Sequence, residues 1–444
     1  MDLKYNEMEN SKNKSEVNSF YVILSGLFVY DAKTTDSAKF NRVFEPWKKR
    51  IENGNYESTY DYLKNSYYDG YLNNMFPEIR HGDQIYDPQN NDFLNHYTLN
   101  QSLLSGLREI RVPAKEIEIP LVVDYIDVFV FPYDIGIFSM KIRVDEDKEL
   151  SLGLISDLLN MLRALQVRFQ VGDNATTMKD FISDHILSAF SLPIEWQTFN
   201  PQLKSYTVID LANEMEQKEL DYLLYDMGNV SPLGSAAGNT MFSPSDEYYS
   251  EQMSQNKISI FKNWSALSLY DTFTRISVNF PDRFKTWEYD FYNVYVYSLY
   301  MKTFLYLTNT RLSDVTILNK ENEAIRDRFV EFVNDYHHTQ ISYKFLPDLL
   351  KDKMAFALDI PSELDSMEVK ISRINQHVQE RRQQRMNFIL VMITFLSLFS
   401  LGRDVAAYLI DSGVDKKLMH PFGTAVIIMV ILASVIALVR YNKK

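Results

Sequence analysis

Seven histidines are the first candidates for chemistry: His81, His96, His185, His337, His338, His377 and His420. A metal held from one helix needs its ligands on one face, and the adjacent pair His337-His338 cannot project there as an i,i+4 pair would. They read as surface or core histidines. The run Asp145-Glu146-Asp147 offers carboxylate oxygens to a divalent cation, or forms a solvated turn after a strand. Residues Gly228–Gly238 read Gly-Asn-Val-Ser-Pro-Leu-Gly-Ser-Ala-Ala-Gly. Their backbone N–H groups could cradle a phosphate, but there is no Gly-Lys-Ser/Thr ending, and a plain flexible loop accounts for them as well. No Gly-x-Ser-x-Gly, His-Glu-x-x-His, kinase or Rossmann pattern occurs. The chain has no cysteine, which excludes disulfides, thiolate zinc sites and cysteine nucleophiles together. An enzyme is not expected, no catalytic residue is assigned, and no cofactor is required.

The elements that must position any site fall into two classes. The 444 residues carry 46 Lys/Arg against 59 Asp/Glu, a net charge of −13. From Arg381 onward there are nine basic and three acidic residues, so the end carries +6 and the first 380 residues carry −19. An acidic body argues against direct nucleic-acid binding, which needs clustered Lys and Arg. Met386–Gly402 and Phe422–Val439 hold 17 and 18 residues without a charge. At about 1.5 Å per residue, each helix would cover roughly 25–27 Å, close to the hydrocarbon thickness of a bilayer. Arg381, Arg382 and Arg385 precede the first span, and Arg440, Lys443 and Lys444 follow the second. The positive-inside rule then predicts a multi-pass membrane protein with both termini in the cytoplasm and a short hairpin loop outside.

Residues 1–18 are expected to be disordered, and residues 19–285 to form a cytoplasmic α/β domain. Within it, Phe20–Tyr30, Tyr206–Leu211 and Ile258–Phe261 read as strands. Ile117–Phe131 and Ile135–Val144 read as a hairpin across Pro132-Tyr133-Asp134. Leu150–Leu165 and Thr176–Phe190 have helical periodicity. Residues 286–360 are expected to be helical, opening on the aromatic stretch Trp287–Leu307. A stalk helix is predicted over 361–385, started by Pro361 with Ser362 and Asp365 spaced like a capping box. Leu364, Met367, Ile371, Ile374 and Val378 follow spacings of 3, 4, 3 and 4, an a/d seam that either joins protomers or packs within one chain. The stalk continues into a first transmembrane helix over 386–410, an outer loop at 411–421, a second span at 422–439 and a basic tail at 440–444.

The first span has few polar residues. Asn387 and Thr394 share a face, Ser397 lies about 80° away, and Phe395 and Phe399 could form an apolar constriction. Such a face lines a narrow pore in an oligomer, or makes hydrogen bonds between helices without a pore.

This order of elements resembles the CorA-type divalent-metal transporter superfamily. The resemblance implies a pentamer with the first span around a central pore and a Gly-Met-Asn signature at its outer end. Gly402-Arg403-Asp404 stands there instead: Gly402 matches, while Arg403 and Asp404 do not. A ring of arginines opposes a dication unless Asp404 neutralises it, which counts against ordinary Mg²⁺ uptake. The large aromatic-rich cytoplasmic part instead resembles the CorA-like membrane effectors associated with type III CRISPR systems. That resemblance implies a homo-oligomer gated by a nucleotide second messenger, a conjugate of S-adenosylmethionine and ATP, which disrupts the membrane in antiviral defence. Pore-lining residues are then Asn387, Thr394, Phe395, Ser397, Phe399, Gly402, Arg403 and Asp404. The run Asn263–Arg275 is the expected ligand patch: Trp264 to stack a base and Arg275 to meet phosphate, with Asn263, Tyr270 and Asp271 beside them. A core helix with an exposed polar face is the plain alternative for that run. Mg²⁺ transport through an atypical mouth and a non-conducting membrane-anchored scaffold remain the alternative functions.

Overall fold

A computed structural model describes residues 17–49, 57–114, 117–144, 151–191, 196–282, 285–312 and 320–412. The expected second span, outer loop, basic tail, His420 and the acidic run 145–147 lie outside these residues. So do residues 1–16, whereas Val17 and Asn18, expected to be disordered, already belong to the first strand. Contacts divide the chain into one unit of residues 1–313 and 327–367, and a second of residues 314–326 and 368–444.

The first unit is built on a mixed sheet. Its strands are β1 (Val17–Val29), β2 (Phe44–Pro46), β3 (Asn95–Leu99), β4 (Glu109–Ala114), β5 (Ile117–Phe131), β6 (Ile135–Val144), β7 (Arg168–Val171), β8 (Asn174–Thr177), β9 (Lys204–Leu211), β10 (Lys257–Phe261), β11 (Trp264–Ser268) and β12 (Thr272–Val278). They run in the order β10-β11-β12-β9-β1-β6-β5-β4-β7-β8, with β3 also on β5 and β2 on β3. Only β12 and β9 pair in parallel; the other pairings are antiparallel.

The expected β5–β6 hairpin is present. Its corner places Tyr133 and Asp134 at φ 67° and 63°, a region non-glycine residues enter only at a cost. Aromatic packing compensates: the Tyr133 ring lies 5.1 Å from Phe304 and 5.7 Å from Phe332, with Arg328 4.8 Å over its face. Between β1 and β6, Gly26 opposes Phe138 and Gly136 opposes Phe28. Each phenyl ring lies where the opposing glycine's Cβ would be, so both positions must lack a side chain.

Strand periodicity of two divides the sheet into unlike faces. Phe20, Val22, Leu24 and Phe28 of β1, with Phe138, Met140 and Ile142 of β6, face an aliphatic core. Helices Leu152–Leu162 and Met178–His185 supply Ile155, Leu158, Leu159, Leu162, Phe181 and Ile182 to it. The second helical prediction, Thr176–Phe190, is corrected at both ends: Thr176 and Thr177 close β8, and the helix gives way to a short 3-10 turn at Leu187–Ala189. The opposite face carries buried Ser25, Asp127, Ser139, Lys141, Tyr206 and Arg275.

Over this polar face run a π-helical turn, Trp287–Phe291, and the helix Tyr292–Arg311. Some of its tyrosines find partners across the layer: Tyr292 and Ser25 hydroxyls are 2.8 Å apart, and Tyr300 donates to the Pro132 carbonyl at 3.2 Å, whereas the buried Tyr295 hydroxyl has none among the described residues. Lys141 bridges Glu288 at 2.9 Å and Asp124 at 3.1 Å. Helices Lys320–Tyr336 and Phe345–Ala357 follow, with a non-helical segment at 337–344 between them.

Candidate functional site

The last described element is one uninterrupted helix, Ile360–Asp411, of 52 residues. It starts one residue before Pro361, after Asp359 at φ 58°, so Ser362 and Asp365 lie inside it rather than at its cap. Leu364, Met367, Ile371 and Ile374 are buried within this single chain. The seam that could have joined protomers is therefore used internally over these positions.

From Met386 the relation between apolarity and burial reverses. The most apolar 18-residue window of this helix has a mean hydropathy of 1.8, and none of it is buried. Phe388, Ile389, Leu390, Ile393, Leu396, Phe399 and Leu401 each stand 52–64% exposed. A run of large apolar side chains left open on all sides has no place in water. Among the described residues, one helix is long and apolar enough to cross a membrane. Along it, Asn387, Thr394, Ser397 and Phe399 are exposed, while Phe395 and Gly402 are partly covered. Thr394 donates its hydroxyl to the Leu390 carbonyl of its own helix at 2.8 Å, which satisfies the group within the helix. Arg403 and Asp404 are exposed and 4.0 Å apart.

The expected ligand patch is not a helix but the β11–β12 hairpin. Two of its members are corrected outright. Trp264 is buried, packed at 5.0 Å against Trp287 with its ring close to perpendicular, and no base can reach its face. Arg275 is fully buried, lies 4.9 Å over the Trp287 ring and donates to the Phe280 carbonyl at 2.8 Å. Burial lowers its pKa, and Asp282 opposes the shift. Asp282 in turn accepts from the Trp287 and Glu288 backbone N–H groups at 3.0 and 3.2 Å, which starts the aromatic helix. Arg275 therefore holds the fold together. Asn263 lies in the β10–β11 turn, where its carbonyl accepts from Val278 N–H at 3.0 Å.

Tyr270 and Asp271 occupy the turn between β11 and β12, at the starting ends of the parallel strands β9 and β12. Here the fold gathers three cations. Arg163 closes the helix Leu152–Leu162, and its Nε donates to the Leu203 carbonyl at 2.9 Å. Lys204 opens β9, pairs with Asp271 and lies 4.3 Å over the Tyr270 ring. Lys302, from the helix Tyr292–Arg311, is 5.3 Å over the same ring and bonds Glu363 at 2.6 Å. Burial lowers the pKa of both Lys204 and Arg163, and the neighbouring cations push Lys204 further in the same direction.

The glycine-rich loop is already committed. The Asp226 carboxylate accepts from Gly234 N–H at 2.7 Å and Ala236 N–H at 2.8 Å, so two N–H groups that could hold a phosphate hold the chain's own carboxylate. His337 and His338 line a cavity of about 560 Å³ with Tyr68, Thr339 and Gln340. Asn74 and His338 Nε2 are 2.8 Å apart, and burial lowers the pKa of that ring. Among the described residues, no group of three or more His, Asp or Glu is placed to hold a metal ion.

No family model, curated protein or solved structure significantly matches this chain.

Sequence reasoning reached Tyr270 and Asp271 but not the cations around them. Arg163, Lys204 and Lys302 come from a helix end, a strand start and mid-helix, so no spacing announces them. Only the sheet order brings them together.

Proposed function

We propose that this chain is a homo-oligomeric, CorA-like membrane effector whose cytoplasmic domain binds a small nucleotide messenger and whose first transmembrane helix responds. The single observation that supports the reading is the helix Ile360–Asp411: it begins among the buried residues of the folded unit and continues without a break into a fully exposed apolar span. An uninterrupted helix transmits displacement or rotation better than a linker, so a change at its first turn is felt in the bilayer. In the full proposal, 422–439 forms a second span, both termini are cytoplasmic, and Asn387, Thr394, Phe395, Ser397 and Phe399 line a closed path in a pentamer.

The sequence resemblance suggests the narrower form, a conjugate of S-adenosylmethionine and ATP as messenger in type III CRISPR defence. The test is dye release from vesicles holding the purified protein, with a panel of adenine-containing messengers against Mg²⁺. Release triggered by one messenger is the expected result. Mg²⁺ flux without messenger-dependent release would replace this reading with an atypical transporter, and no flux at all would leave a membrane-anchored scaffold.

A further inference from the structure

We propose that the cation cluster around Tyr270 is a phosphate site covered by the chain's own carboxylates, and that Glu363 couples its occupancy to the long helix. The inference rests on the ligand-gated reading above and names the ligand chemistry and the coupling residue. Arg163, Lys204 and Lys302 bring three positive charges to one place, against the two carboxylates Asp271 and Glu363. Their side chains are only 7%, 11% and 11% exposed, whereas Asp271 is 50% exposed. Asp271 is therefore the solvent-side member of its pairs, and the cations are approached from the side that it covers.

Asp271 is shared unequally, close to Lys204 but 3.9 Å from the Arg163 guanidinium, too far for a good hydrogen bond. One carboxylate cannot serve both cations well. A phosphate, with more oxygens and up to two charges, can accept from Arg163 and Lys204 together and draw in Lys302. Tyr270, 51% exposed beside the same ammonium groups, offers its ring to a planar base. The ligand class is therefore a ring-bearing phosphate, such as a nucleotide.

Coupling follows from the other carboxylate. Glu363 lies in the first turn of the helix Ile360–Asp411 and spends Oε1 on Lys302. Its Oε2 is buried with no hydrogen-bond partner among the described residues. If phosphate draws Lys302 away, Glu363 is left partly buried without its cation, a state that favours rearrangement of that turn. Occupancy and helix position are then linked through one ion pair.

The experiment uses the full chain in detergent, titrated with ATP and, separately, with inorganic phosphate. ATP should bind saturably and at least about tenfold tighter than phosphate, a difference that Tyr270→Ala removes. Asp271→Asn should tighten ATP binding by about tenfold, because the internal competitor is gone, whereas Lys204→Met should weaken it by about a hundredfold. Absence of saturable binding at millimolar ATP, or tighter-binding behaviour missing in Asp271→Asn, would overturn the site. Lys204→Met could unfold; Asp271 is half-exposed, so its variant keeps the test decisive. Coupling is read by hydrogen exchange of residues 360–367: ATP should speed it in the native chain but not in Glu363→Gln, where the pair is already broken. Equal ATP effects in both would overturn the coupling. The site and the effector reading fail separately: messenger-triggered dye release that survives Lys204→Met removes the site alone, and ATP binding as described without any release removes the effector reading alone.

Discussion

The two halves of the helix Ile360–Asp411 use the same kind of residue in opposite ways. Between Ile360 and Ile374, apolar side chains recur every three or four residues and every one of the seam positions is buried. Between Met386 and Leu401, apolar side chains occupy nearly every position and stand open. The first half obeys water: one stripe is hidden and the polar remainder faces out. The second half has only Asn387, Thr394, Ser397 and Ser400 as polar remainder, and it is long and apolar enough to cross a membrane. The three arginines at 381, 382 and 385 mark the change between the two regimes.

That contrast can be broken from either side. The largest effect of a single substitution is expected from Leu396→Arg, which exchanges a favourable for an unfavourable residue at mid-span, a difference of about 3–4 kcal/mol on insertion. The variant should lose the membrane fraction on cell fractionation while the fold of its first unit persists by circular dichroism. In the first half, Met367→Ala or Ile374→Ala empties a buried position and should destabilise the protein by about 2–4 kcal/mol in chemical denaturation, leaving membrane recovery unchanged.

A graded effect, spread over pH, sharpens the view of the folded unit. Burial pushes the carboxyls of Glu78 and Asp290 up to about 7. A carboxyl whose folded pKa exceeds its unfolded value binds its proton more tightly when folded, so its stabilisation is complete below about pH 4 and is lost as pH rises through 7. Each of these two groups should lower stability between pH 4 and 8 by on the order of 3–4 kcal/mol, and Asp290→Asn with Glu78→Gln should flatten that slope. The smallest effect is expected from Arg403→Ala: both partners of the Arg403–Asp404 pair are exposed, and the thermal midpoint in detergent should not move measurably.

How far the sequence could be read depended on where each signal lies. The β5–β6 hairpin and β1 were legible because long β-branched runs flank a Pro-Tyr-Asp corner. The long helix was legible because neither proline nor glycine interrupts Ser362 to Leu401. The sheet order was not, since pairing β12 with β9 across sixty residues leaves no local trace. For the same reason Trp264 and Arg275 read as a ligand patch: an aromatic and a cation look alike in sequence whether they meet a base or cover a strand. Trp287 settled the matter by packing edge-on against the one and under the other. Asp226, which fills the glycine-rich loop, lies two residues before it and carries no motif that distinguishes it from any other helical aspartate.

The most direct test of the account is the solvent around the two halves of the helix. The chain has no cysteine, so single cysteines at Gln379, Ile389 and Leu396 report their surroundings without background. In vesicles, a membrane-impermeant maleimide should label the Gln379→Cys protein readily and spare the Ile389→Cys and Leu396→Cys proteins until detergent is added. Labelling of all three at similar rates in intact vesicles would mean that the apolar half lies in water or along the surface, and the helix would then carry no signal into the bilayer.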